Sequence, residues 1–324
     1  MLNRRHLLAS LACAPLAGSP HTAAAATGWP QRSVRVLFPY APGSAYAIAQ
    51  LVAGRLSEAV GGALVVEAKP GANGIIAAET VARSPADGYT LLFAITPQIA
   101  IAPAMARVSY DPVKDFAPIG TVSSNRFALV VNPKVPATTL AEFIGYARAQ
   151  QQSFTYAEGG VGSITHLAMV LLLDRAGLSG TNVSYKSSEL ALRDVTAGHL
   201  PAMFAVFSDA APHVQSGEVR MIAVSSAQRS PLATGVPTVA ESGFPGYSAT
   251  SWWGLMAPAR TPQPIVERIS AELARLTKDP AIVARMTSLG IDPLRTTPAE
   301  FSELISADVA LWSHAVKVAG LAAR

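Results

Sequence analysis

Residues 38–50 read Phe38-Pro-Tyr-Ala-Pro-Gly-Ser-Ala-Tyr-Ala-Ile-Ala-Gln50, and this stretch decides the fold class. The apolar run Val34–Phe38 before it has strand character. It ends in a Pro/Gly turn that opens directly into Ile48, Leu51, Val52 and Leu56, apolar residues at helical spacing. A strand that turns tightly into a helix leaves unpaired backbone N–H groups at the positive end of the helix dipole, and both favour an anion. A second unit of this kind lies at 154–174: Phe154-Thr-Tyr-Ala, then Gly159-Gly-Val-Gly-Ser-Ile-Thr-His166, then Leu167–Asp174. Two such units suggest a cleft that holds a carboxylate between two lobes.

Composition sets the outer bounds. The chain has 324 residues, half of them apolar and 14% charged, enough for a large core in about two domains. Its formal charge of +4 includes Arg4 and Arg5, and no acid precedes residue 27, so the mature balance is +2. The basic residues are scattered without aromatic interleaving, which argues against a nucleic-acid partner. The first 26 residues read as a cleavable export signal. Arg4-Arg5 leads a mostly apolar run, Leu7–Leu16, and Ala23-Ala24-Ala25-Ala26 supplies the cleavage pattern. Asn3-Arg-Arg-His-Leu-Leu8 fits a loose twin-arginine signal as well as an ordinary secretory one. The apolar run is shorter than the ~20 residues that span a bilayer. The expected location is therefore the periplasm. The one cysteine, Cys13, lies inside the signal, so the mature chain has no disulfide and no thiol chemistry.

Strand-length apolar runs alternate with helical patterns through the rest of the chain, which predicts an α/β fold with largely parallel sheets flanked by helices. Thr297-Pro-Ala-Glu300 is a capping box with proline at the first helical position. No composition break marks a linker. The expected organisation is thus one lobe from 27–124 plus 226–324 and a second from 125–225, with crossings near 122–128 and 222–227.

No metal-ligand pairing, nucleophile elbow, P-loop or dinucleotide fingerprint is present, so no metal, cofactor or catalytic residue is expected. Gly43 and Ser44 can place N–H groups and a hydroxyl on an anion, and Gly160, Gly162, Ser163 and Thr165 can do the same from the second turn. His166, in the first turn of its helix, reads as neutral because the dipole disfavours an imidazolium there. Tyr40, Tyr46, Trp252 and Trp253 are candidate cleft walls.

The mature chain also resembles the solute-binding proteins of tripartite tricarboxylate transporters, the Bug-type receptors. The likeness rests on Pro39-Tyr-Ala-Pro-Gly43, Val66-Glu-Ala-Lys-Pro-Gly-Ala-Asn-Gly74, Ala86-Asp-Gly-Tyr-Thr-Leu-Leu92 and Tyr110-Asp-Pro-Val-Lys-Asp-Phe-Ala-Pro118. It continues through Gly160-Val-Gly-Ser-Ile-Thr-His-Leu167, Tyr185-Lys186, Pro237-Thr-Val-Ala-Glu-Ser-Gly243 and Trp252-Trp-Gly-Leu-Met-Ala-Pro258. The resemblance implies a two-lobe, type II-like periplasmic binding protein. Such a protein is a monomer that closes on a small organic carboxylate, delivers it to permease subunits in the membrane and catalyses nothing. A sensor that docks on a signalling partner, or a periplasmic enzyme with an unrecognised site, are the competing readings.

With the two turns, the resemblance gives the expected ligand-binding set: Tyr40, Pro42, Gly43, Ser44, Ala45, Tyr46, Thr96, Gly160, Gly162, Ser163, Thr165, Tyr185 and Ala205. The family's Pro-Gly-Gly-x-x-Asp turn is here Pro42-Gly-Ser-Ala-Tyr46, its Tyr-Lys-Gly segment is Tyr185-Lys186-Ser187, and its Met-Phe-Asp strand end is Met203-Phe204-Ala205. Two carboxylates are replaced by an aromatic ring and a methyl group, so a ligand ammonium loses two candidate partners, although Glu158 or Asp209 can stand in. The expected ligand is a carboxylate with an apolar or aromatic body.

Overall fold

The computed structural model describes residues 28–150, 153–229 and 231–323. The expected signal lies outside them. The first sheet has six strands in the order β11-β4-β10-β3-β1-β2, with β1 Val34–Phe38, β2 Leu64–Ala68, β3 Thr90–Ile95, β4 Phe116–Asn125, β10 Ser251–Pro258 and β11 Asp292–Pro293. Strand side chains alternate between faces, so Val36 and Phe38 pack with helices α1 (Ser44–Val60), α8 (Gln263–Leu276) and α9 (Pro280–Ser288). Leu37 and Leu92 meet α2 (Ile75–Ala82), a π-turn at Pro97–Ile101 and the first half of α10 (Pro298–Val318) on the other face. The short α3 (Ala102–Met105) continues the π-turn. At the start of α10 the capping box forms: Glu300 N–H donates to Thr297 Oγ1 at 3.2 Å, and Thr297 N–H donates to Glu300 Oε2 at 2.7 Å.

The chain leaves this sheet at Arg126 and enters a three-stranded sheet, β8-β5-β9, from β5 Phe127–Val131, β8 Ala202–Val206 and β9 Arg220–Val224. The parallel pair β6 Thr155–Glu158 and β7 Thr181–Ser184 lies alongside β8. Helices α4 (Leu140–Gln150) and α5 (Ile164–Arg175) cover one face, and α6 (Ser188–Ala197) and α7 (Phe207–Gln215) the other.

Two expectations are corrected here. The sheets are mixed rather than mostly parallel. β10 runs antiparallel to both of its neighbours, and β5 runs antiparallel to β8 and β9. The cause is the crossing itself, since a strand entering a sheet from the junction runs against those that end there. The return crossing also falls later than 226. Thr238 bridges Val224, Val239 N–H donates to Val224 O at 3.0 Å, and Ala249 N–H donates to Ser225 O at 2.9 Å. Tyr247 packs in the second core and donates its hydroxyl to Ala168 O at 2.8 Å. Residues 231–249 therefore pack on the second sheet, and the chain returns at Ala249–Ser251.

Helix α10 joins both cores. Phe301 and Ile305 pack under the first sheet, whereas Trp312, Ala315 and Val316 pack with Leu129, Phe204 and α5 under the second.

Candidate functional site

β1 lies between β2 and β3, all three parallel, so their carboxyl ends share one edge. From β1 the chain turns onto one face as α1, and from β3 it turns onto the other as the π-turn. This divergence is the topological switch point at which α/β sheets bind ligands.

At that edge Gly43 has extended backbone (φ −171°, ψ −159°), and no side chain caps α1. The first turn of α1 holds no acid. Pro42 and Gly43 are exposed, Ala45 is half-buried, and Ser44 opens the helix, its side chain lying outside the described set. A long helix thus begins with uncapped N–H groups at a solvent-facing edge. Tyr46, half-buried, turns its ring edge-on to Phe38 (5.2 Å between centroids) and donates its hydroxyl to Val66 O at 3.2 Å. From Phe38 a row of rings continues to Phe93 (5.6 Å) and on to Trp253 (6.3 Å).

The second turn has a different internal structure. Ser163 caps α5, accepting from His166 N–H at 3.2 Å, and its hydroxyl sits 2.9 Å from Thr165 Oγ1. Thr165 Oγ1 also accepts from Gly159 N–H at 3.3 Å. Glu158, fully buried, accepts from Gly160 N–H and from Asn182 Nδ2. Gly162 N–H donates to His166 Nδ1 at 3.1 Å, which requires a neutral ring, and burial lowers the His166 pKa against a smaller opposing effect of Glu158. Gly160 and Gly162 have positive φ (126° and 76°), and a Cβ on Gly162 would lie 2.3 Å from Met105 Cε. The loop thus packs against α3 and the end of α10.

Other expected contacts have their groups already engaged. Thr96 is fully buried and its hydroxyl accepts from Trp252 N–H at 2.8 Å, locking β3 to β10. Ala205 is fully buried in the core beneath α6 and α7, paired with Ala128. Tyr185 donates to Asp194, and burial together with that bond pushes its hydroxyl up to about 12. Tyr40 lies 3.5 Å from Asn73 O, with its pKa raised by burial. Thr96 and Ala205 therefore present no free group to a ligand in this conformation.

Between the two sheets lies a cavity of about 810 Å³ that none of the thirteen expected ligand-binding residues lines, although the candidate cleft wall Trp253 does. Its walls come from the crossing strands (Asn125, Phe127), from β10 (Trp253), from the start of α7 (Phe207, Asp209) and from Leu289 after α9. Trp253 and Asp209 stand out in the sequence, the one by its aromatic pair and the other as a stand-in acid. Asn125 and Phe127 carry no such mark. Next to the cavity, Arg126 at the crossing is buried, ion-paired with Asp292 of β11 and set over the Phe207 ring at 5.1 Å. Desolvation lowers its pKa to about 10. Among the described residues no group of three or more ligating side chains gathers as a metal site, and no helix is long and apolar enough to cross a membrane.

Two mixed sheets flanked by helices and joined at a crossing, with strand ends facing a shared cavity, match the α/β fold of periplasmic binding proteins. Residues 48–321 match the family described as tripartite tricarboxylate transporter family receptor, and the chain belongs to that family. It is 35% identical over 270 residues to a UPF0065 protein of Bordetella bronchiseptica, covering 83% of this chain and 80% of that one. It is similar to the structure of Rhodopseudomonas palustris Rpa4515 with adipate (33% identity, TM-score 0.74, 91% of this chain and 99% of the other). It is also similar to MatC of Rhodopseudomonas palustris with bound malate (28%, TM-score 0.71, 89% and 100%). Proteins of this family are periplasmic solute-binding receptors, not enzymes.

Proposed function

We propose that this chain captures a small organic carboxylate between its lobes and delivers it to the membrane permease subunits of a tripartite tricarboxylate transporter. One lobe comprises residues 28–125 and 250–323, and the other 126–249. The observation that carries this reading is the uncapped, acid-free start of α1 at the β1/β3 switch point. There, backbone N–H groups and the helix dipole offer an anion a site that the N-cap, a glycine, does not fill. Ser163 and Thr165 face the same ligand from the second turn, with Gly160 and Gly162 allowing close backbone approach. The dicarboxylates adipate and malate held by two similar proteins support the carboxylate class. The absence of acids at Tyr46 and Ala205, and the ring row from Tyr46 to Trp253, favour a ligand body that is apolar or aromatic. Export by the signal at 1–26 places the mature chain where such a receptor works.

Each lobe carries part of the grip, so ligand shifts an open–closed equilibrium about the crossing strands. The test is a thermal-shift screen of the purified mature chain against a library of organic acids that includes adipate, malate, benzoate and citrate. A ligand at 100 times its dissociation constant adds about 2.7 kcal/mol of stability. The reading expects a carboxylate to raise the melting temperature and small-angle scattering to report a smaller radius of gyration with it. A library without a single responder overturns it.

A further inference from the structure

Resting on the carboxylate reading above, we infer that the cavity between the lobes is a distal subsite selecting a ligand whose far end carries a hydroxyl group, read by Asn125 and Asp209 beside Trp253. Both sheets and the crossing strands contribute walls to this space, and its volume of about 810 Å³ suits a small organic ligand. Asn125 lines the cavity, and its Nδ2 is buried without a hydrogen-bond partner, so a rotation of the amide is what brings that donor to a ligand. An amide donor left in that state is costly, and a ligand acceptor removes the cost. Asp209, in the first turn of α7, accepts from Ser208 Oγ at 3.3 Å and keeps further acceptor capacity toward the cavity. It is the one charged side chain among the described lining residues. Trp253 ends the ring row that begins at Tyr46 and gives a flat wall for an aromatic body.

The chemistry of these groups discriminates among ligand ends. Asn125 Nδ2 only donates and the Asp209 carboxylate only accepts. A second carboxylate satisfies Asn125 but is repelled by Asp209. An ammonium satisfies Asp209 but leaves Asn125 unpaired. A hydroxyl is neutral, accepts from the amide and donates to the carboxylate. One hydroxyl, or two on the same ring, answers both groups.

The test is calorimetric titration of the mature chain with 3-(4-hydroxyphenyl)propionate, 3-phenylpropionate and adipate. In the wild type the hydroxylated probe should bind at least about tenfold more tightly than its deoxy analogue, as a site built to hydrogen-bond a hydroxyl requires. Asp209→Asn and Asn125→Ala should each shrink that ratio to within about twofold, and Asp209→Asn should also tighten adipate. Asp209 is solvent-exposed, so its replacement tests the subsite even where the Asn125 variant fails to fold. Equal binding of the two aryl probes, a ratio unchanged in Asp209→Asn, or binding of adipate alone overturns the subsite while the carboxylate reading stands. A wild type that binds none of the three also overturns the subsite, and the carboxylate reading is then decided separately by the thermal-shift library.

Discussion

At the start of α1, Gly43 is extended, nothing lies within 4 Å of where its Cβ would be, and as a glycine it supplies no side-chain cap to the first turn. At the start of α5, Ser163, Thr165, Glu158 and His166 engage one another and the surrounding backbone N–H groups. Both turns lead from a strand into a helix, yet one is left open and the other is closed by its own side chains. An open helix start costs stability and offers a site, whereas a self-capped one is a rigid wall. On the function proposed above, the first turn is the anion seat and the second a scaffold that brings hydroxyls to a fixed place.

Substitutions that give one turn the character of the other put this contrast at risk. The largest expected effect is at the closed turn. Gly162→Ala combines a positive φ with a clash against Met105, and should cost about 2 kcal/mol in chemical denaturation. A loss no larger than that of Gly43→Ala would mean that the second turn is as permissive as the first.

Capping the open turn should separate stability from function. Gly43→Asp places a carboxylate at the helix start, where it should stabilise the free protein by roughly 0.5–1 kcal/mol. The same carboxylate competes with the ligand's, so affinity for any carboxylate found in the screen should fall at least about tenfold, or ~1.4 kcal/mol. Unchanged affinity would move the anion away from α1.

Uncapping the closed turn is a smaller change. Ser163→Ala removes the side chain that caps α5 and should cost about 1 kcal/mol, read as a lowered melting temperature. The smallest effect is a pH dependence belonging to the second turn alone. Burial lowers the His166 pKa from 6.5, so its contribution to stability is complete above that value and is lost as the pH falls below it. Protonation also removes the acceptor for Gly162 N–H. Between pH 7.5 and pH 5.5 the wild type should lose more stability than His166→Gln, and parallel urea curves for the two proteins would break the assignment.

Much of this is legible in the residues, for reasons that also mark the limits. Helical and strand periods locate almost every element, because each buries one face against a sheet. β11 is invisible because two residues, one of them Pro293, show no period. Strand direction is not written in composition, so alternation alone makes β5 and β10 parallel where the crossing makes them antiparallel. The return point is misplaced because 226–249 is nearly devoid of regular structure, and its attachment to β9 runs through backbone bonds at Thr238 and Ala249. At the candidate site, the Pro-Gly composition of the first turn is enough to predict a strand-to-helix turn without a side-chain cap at Gly43. The commitment of the Thr96 hydroxyl is hidden, since its partner Trp252 lies 156 residues away. Ala205 enters the expected set by likeness to a strand-end acid, but strand alternation buries it.

The double anchorage of α10 has a consequence for how the protein comes into being. Each core lacks part of its packing until this helix arrives, and the chain reaches it only after every other described element has been made. Phe301 and Ile305 complete one half and Trp312, Ala315 and Val316 the other, so neither half can finish its core while the chain is still emerging. The usual order, in which an N-terminal unit matures before its successor, does not apply here. The two halves reach their final state together, and a chain interrupted before residue 312 leaves a hole in the half it had already threaded through.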